Sequence, residues 1–126
     1  MESEFPVKVV VADDSRAMRM IVIRTLRQAG YDGADITECE NGAEGLAQVK
    51  AVNPDLVLSD WNMPEMNGIE FLQALRAEGN QVPFGFVTSE GSDAMRSQAS
   101  ESGALFLIAK PFTADMFAEA LKPVLG

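Results

Sequence analysis

Asp13-Asp14, Asp60, Thr88-Ser89 and Lys110-Pro111 are the residues whose types could carry chemistry together in this 126-residue chain. The sequence has no histidine and one cysteine, Cys39. That excludes serine–histidine and cysteine–histidine nucleophile pairs, histidine zinc ligands and multi-cysteine metal sites. Chemistry must then run on carboxylates, hydroxyls, lysine and a bound metal. Three carboxylates and one ammonium in one cleft sum to a charge of about −2, which is costly unless a proton or a cation is taken up. An oxygen-preferring divalent ion suits such a cleft, because Mg2+ takes one or two carboxylates, keeps waters and holds a substrate phosphate. With that ion the set reads as a phosphoryl site. Asp60 is the candidate nucleophile, since a carboxylate can form an acyl phosphate. The Thr88 hydroxyl, the Lys110 ammonium and the backbone N–H groups of Trp61 and Ser89 are placed to meet phosphoryl oxygens.

Taken singly, each part has an ordinary explanation. An Asp-Asp pair after a strand is usually a loop and a helix cap, and a Lys-Pro is usually a turn. What carries the reading is where all of them fall. Lys8 to Ala12, Asp35 to Cys39, Leu56 to Ser59, Phe84 to Thr88 and Leu105 to Ala109 are short apolar or β-branched runs, expected as buried strands. Between them lie helical patterns: Ser15 as cap to about Ala29, then 43–52, 68–78, 92–102 and, after Thr113, to about Leu121, where Pro123 is expected to end or kink the helix. In the first helix Met18, Ile21, Val22, Leu26 and Ala29 are expected to face inward and Arg16, Arg19, Arg24 and Arg27 outward. Strand–helix alternation implies a parallel α/β sheet with helices on both faces and right-handed crossovers. Ligands of such sheets bind beyond the carboxyl ends of the strands, where the first, third, fourth and fifth strands present the residues above.

Composition narrows the classes further. A 126-residue chain that is 47% hydrophobic and 23% charged is expected to form one domain with a single core over about residues 7–125 and no output domain. No apolar run is long enough for a membrane span and no signal-peptide pattern opens the chain, so a cytoplasmic protein is expected. The net charge of −9 argues against nucleic-acid partners. Cys39 is expected as an inert core residue.

The set Asp13-Asp14, Asp60, Thr88 and Lys110-Pro111-Phe112 resembles the receiver domain of two-component response regulators, over about Val7 to Leu125. Ser59-Asp-Trp-Asn-Met-Pro-Glu-Met-Asn-Gly68 is most similar to the stand-alone chemotaxis regulators of the CheY type. The resemblance implies a flavodoxin-like five-stranded sheet of order 2-1-3-4-5. It implies Asp60 as phosphoacceptor, served by a histidine kinase, a phosphotransfer domain or a small acyl phosphate. Mg2+, with Mn2+ as a substitute, would be held by Asp14, Asp60, the Asn62 backbone carbonyl and, through water, Asp13. Thr88 and Lys110 would engage the phosphoryl group, and Lys110-Pro111 would be a cis peptide. Asn62 and Glu90, each two residues beyond Asp60 and Thr88, match the pair associated with rapid self-dephosphorylation. The implied protein is a monomeric switch whose catalysis is limited to its own phosphorylation and hydrolysis, and whose output is contact with a protein partner.

One position departs from the pattern. Three residues before the lysine the family usually has an aromatic that moves with the switch; here it is Leu107, and the neighbouring Phe106 points to the other face by strand alternation. Signalling is then expected to run through Thr88, the loop after it and the fourth helix, which has few large apolar anchors. The exposed arginines of the first helix read either as a solvated face or as a docking face for an acidic kinase or phosphotransfer domain. Trp61 either leans over the site or covers the loop. Two other functions compete. An aspartyl-phosphate hydrolase of the haloacid-dehalogenase type carries a second Asp two residues after the nucleophile, where this chain has Asn62. A flavodoxin-like FMN carrier needs a phosphate loop after the first strand, where Asp13-Asp14 would repel a phosphate.

Overall fold

A computed structural model describes residues 6–126. Strands β1 (Lys8–Ala12), β2 (Asp35–Cys39), β3 (Leu56–Ser59), β4 (Phe84–Thr88) and β5 (Phe106–Ala109) alternate with helices α1 (Arg16–Leu26), α2 (Gly42–Val52), α3 (Gly68–Ala77), α4 (Asp93–Glu101) and α5 (Ala114–Leu125). All strand pairs are parallel and the order is β2-β1-β3-β4-β5. The resemblance had implied this order.

Alternation along each strand divides the core into two layers. Val10, Ala12, Val57, Phe84 and Phe86 face α2, α3 and α4, represented by Val49, Phe71, Leu72, Leu75 and Ala99. Val9, Val11, Leu56, Leu58, Val87 and Ile108 face α1 and α5, represented by Val22, Leu26, Phe117 and Leu121. Burial on both faces is why β1, β3 and β4 read as continuous apolar runs. The helices start where side chains accept the first free N–H groups: Ser15, Asn41, Asn67, Ser92 and Thr113 each cap one.

Trp61 belongs to the α2–α3–α4 layer. Its ring lies 4.7 Å from that of Phe86, and it is buried. It covers the core beneath the loop and does not lean over the site. Cys39 is buried in the same layer, and burial, followed by the neighbouring Glu44, pushes its thiol up to about 11. An inert core cysteine accounts for it.

α1 passes at Leu26 into a wider turn, Arg27–Tyr31, and the backbone stays helical until Gly30 takes φ 114°, so the helical stretch ends after about Ala29 as expected. Three expectations need correction. Within α1, Ile21 is 43% exposed and Arg19 only 7%. At roughly 100° per residue, Arg19 lies about 20° from Leu26 on the helix wheel, inside the buried stripe and not opposite it. α5 runs through Pro123 to Leu125. Proline removes one N–H there, but Val124 and Leu125 pack on the α1–α5 layer and hold the last turn. β5 begins at Phe106, and Leu105 is 57% exposed beside it.

Gly85 is explained by its partner strand. Gly85 pairs with Phe106, and a Cβ on Gly85 would sit 2.1 Å from the Phe106 ring. The aromatic of β5 thus lies over the glycine of β4, on the α1–α5 side. Replacing Gly85 by Ala should destabilise the fold by about 1–3 kcal/mol through overpacking, with Phe106→Leu in the same chain restoring part of the loss. Urea unfolding of the single and double variants checks this.

Candidate metal and phosphoryl site

The carboxyl ends of β1, β3 and β5 bring Asp13, Asp14, Asp60 and Lys110 together. One carboxylate oxygen from each aspartate lies within 4.8 Å of the others. Lys110 Nζ stands 3.6 Å from Asp13 Oδ2 and 4.0 Å from Asp60 Oδ2, ion pairs too long to be hydrogen bonds. Asp13 is buried, Asp60 half-buried and Asp14 exposed, so the cluster opens to solvent on the Asp14 side.

Backbone contacts fix each acid. Asp60 N–H donates to the Ala12 carbonyl at 2.8 Å, which joins the ends of β1 and β3. Trp61 N–H donates to Asp60 Oδ1 at 2.7 Å, leaving Oδ2 turned to Lys110. Ser59 Oγ donates to the Asp60 carbonyl at 2.8 Å, and a Cβ on Gly68 would come within 2.2 Å of that same oxygen. Only glycine lets α3 begin this close to the end of β3. Asp13 Oδ1 accepts the Ser15 N–H at 2.9 Å, and the Asp13 N–H donates to the Cys39 carbonyl at 3.0 Å.

The remaining candidates line the rim. Thr88 is fully buried at the end of β4, and its Oγ1 accepts the Glu90 N–H at 3.4 Å. Ser89, Glu90 and Asn62 are exposed, and Asn62 Nδ2 donates to Glu90 Oε1 at 3.4 Å. The Lys110-Pro111 peptide is cis. Leu107 packs with the α2–α3–α4 layer and Phe106 with the α1–α5 layer, the opposite facing that strand alternation requires.

Charge crowding leaves a mark on Asp13. Burial pushes its carboxyl above the ordinary value, the Ser15 N–H pulls it back, Asp60 raises it, Lys110 lowers it and Asp14 raises it. Three hard oxygen donors with one compensating ammonium fit a divalent oxygen-preferring cation such as Mg2+.

Two groups escaped the sequence reading. Arg19, expected on the outer face of α1, donates from Nη1 to the Asp13 carbonyl at 2.6 Å and from Nε to Glu38 Oε1 at 2.9 Å. Its position seven residues before Leu26 was the available signal. The close approach of Gly68 to the Asp60 carbonyl is a tertiary fact without a sequence signal.

The model of the response regulator receiver domain matches residues 9–122. The chain belongs to the response regulator receiver family. It is 38% identical to chemotaxis protein CheY1 of Helicobacter pylori over 94% of this chain and 97% of that one. With the CheY homolog of Campylobacter jejuni it shares 40% identity, over 94% and 92% of the two chains. The crystallised chemotaxis protein CheY4 of Vibrio cholerae superposes with a TM-score of 0.83 at 32% identity, covering 96% of this chain and all of that one. The chain is thus a CheY-like receiver with a response regulator's function in two-component signalling. Receiver domains bind Mg2+ in general, and the acidic cluster is consistent with that. Among the described residues of this receiver, no helix is long and apolar enough to cross a membrane.

A raised carboxyl pKa means the folded state binds more protons than the unfolded one, so the contribution of Asp13 to stability falls as pH rises through its native value. Without divalent cations, Asp13→Asn should therefore gain stability relative to the parent as pH goes from about 4 to about 7. Urea unfolding in chelator across that range checks it, and a difference that does not vary with pH would contradict it.

Proposed function

We propose that this receiver accepts a phosphoryl group on Asp60 from the phosphohistidine of a histidine kinase or phosphotransfer domain, or from a small acyl phosphate. The observation that carries the reading is the convergence of Asp13, Asp14, Asp60 and Lys110 at one sheet edge in a chain of this family. An Asp60 oxygen attacks phosphorus, and the bond from phosphorus to the imidazole nitrogen breaks. The leaving imidazole keeps the electron pair and takes up a proton. Bound Mg2+, held by Asp14, Asp60 and the Asn62 carbonyl with Asp13 acting through water, would neutralise charge on the phosphoryl oxygens. Lys110 supplies the protein's own cation, already beside Asp60. Such chemistry needs mainly positioning and charge neutralisation.

The phosphoryl group adds negative charge where three carboxylates already meet, and Thr88 turns its hydroxyl towards it. Its present bond to the Glu90 N–H is long and easily exchanged. The Trp61 and Ser89 N–H groups complete the cradle. Movement passes to the loop after β4 and to α4, in which Ala99 is the buried residue. Asn62 and Glu90 stand at the mouth, where they set the rate of self-hydrolysis. The catalysis of this chain is limited to acquiring and losing its own phosphoryl group. The relatives' names support a chemotaxis pathway. In this reading the chain works as a cytoplasmic, monomeric regulator read by a protein partner.

With acetyl phosphate and Mg2+, intact mass spectrometry should show one added phosphoryl group on the parent and none on Asp60→Asn, with chelator abolishing the addition. The phosphorylated form should decay within minutes, and a lifetime of hours in Mg2+ would overturn the assignment of Asn62 and Glu90. Beryllofluoride with Mg2+ should change which host proteins the parent captures and leave Asp60→Asn unaltered; identical capture in every state would reject the switch.

A further inference from the structure

Arg19 is a strongly bonded group at the acidic edge that phosphoryl chemistry leaves unused. It is 7% exposed, and its guanidinium ties three segments together: α1, the end of β1 through the Asp13 carbonyl, and β2 through Glu38. Asp13 is consequently engaged at every polar group. Cys39 takes its N–H, Ser15 donates to Oδ1, Lys110 stands by Oδ2, and Arg19 holds the carbonyl.

Asp14 is the contrast. It is exposed, and among the described residues no donor is hydrogen-bonded to its carboxylate. Its backbone therefore sets where that carboxylate points. The Asp13 carbonyl belongs to the peptide unit joining Asp13 to Asp14, and that unit is planar. Holding the C=O in one direction holds the plane from which the Asp14 Cα departs. A guanidinium suits this task because it is a rigid fork of donors that stays charged at any working pH. Glu38 takes the second branch of the fork at 2.9 Å and matches its charge. What reaches the acidic cluster from Arg19 is therefore orientation more than positive charge.

We propose that Arg19 is a positioning residue for the divalent cation, acting through the Asp13–Asp14 peptide to aim the Asp14 carboxylate. This rests on Asp13, Asp14 and Asp60 being the cation site. Arg19 touches neither the ion nor the phosphoryl group, and Glu38 serves to steer Arg19.

The test is Mg2+ affinity by isothermal titration calorimetry on the full chain, for the parent, Arg19→Met, Arg19→Gln and Glu38→Gln. Each is measured where circular dichroism shows it folded, with urea unfolding in chelator recording the metal-free stability separately. Arg19→Met and Arg19→Gln end short of the Asp13 carbonyl and should bind Mg2+ about tenfold more weakly, as loss of a group supporting a metal ligand typically does. Glu38→Gln keeps an acceptor for Nε and should bind as the parent does. Should Arg19→Met fail to fold, Arg19→Gln decides. A folded Arg19 variant with parental affinity overturns the proposal by confining the residue to bracing the fold. An equal loss in Glu38→Gln also overturns it, by placing the effect in the ion pair. A parent that binds no Mg2+ removes the cation site itself, an outcome distinct from failure at Arg19 alone.

Discussion

Like charges held together are the constraint on which this structure depends. Asp13, Asp14 and Asp60 place carboxylate oxygens within 4.8 Å of one another, and the Lys110 ammonium does not cancel them. Burial alone would raise the Asp13 carboxyl, and two neighbouring acids add to the push. A chain left to minimise its electrostatic energy would spread these groups apart. Asp13 and Asp60 stay together because each is anchored by backbone that is already committed to the sheet. The Asp60 N–H bonds across to β1 and the Asp13 N–H across to β2. The acids inherit their positions from strands that cannot move without losing the core.

Rigidity falls away from that edge in one direction. β1, β3 and β4 are buried along almost their whole length, whereas β5 is largely half-buried and α4 has Ala99 as its buried residue. Between them the loop after β4 is held by exposed polar bonds, from Arg96 to the Gly91 and Leu107 carbonyls and from Asn62 to Glu90. Elements held by few buried contacts open at lower free energy than the core. The acidic cluster and a weakly anchored segment therefore adjoin at the end of β4, where Thr88 is fully buried and Ser89 is exposed. Leu107 and Phe106 face opposite layers, so the large aromatic of β5 rests on Gly85 on the α1–α5 side and not on the α4 side.

Much of this was readable in the residues. Strand runs such as Leu56-Val57-Leu58 announce themselves because burial on both faces demands continuous apolar side chains, and caps such as Ser15 and Asn67 mark helix starts through a local hydrogen bond. The grouping of the aspartates with Lys110 followed from strand–helix alternation, which sends parallel strand ends to one edge. The misreadings were of another kind. Arg19 is expected on the outer side with the other arginines of α1, although its spacing to Leu26 puts it inside, where a carbonyl and a carboxylate from β1 and β2 satisfy it. Pro123 was read by local preference alone, and packing of Val124 and Leu125 overrode that preference.

The sequence by itself determined the element order, the two-sided burial of the central strands and the identity of the chemical groups, since each depends on side-chain type and on spacing within one segment. Tertiary structure alone decided how those groups are held. The Arg19 bracket on Asp13, the close approach of Gly68 to the Asp60 carbonyl, the seat of Trp61 on Phe86 and the fit of Phe106 over Gly85 each join residues from different elements. Their distances are set by how strands and helices pack, a property no single segment contains.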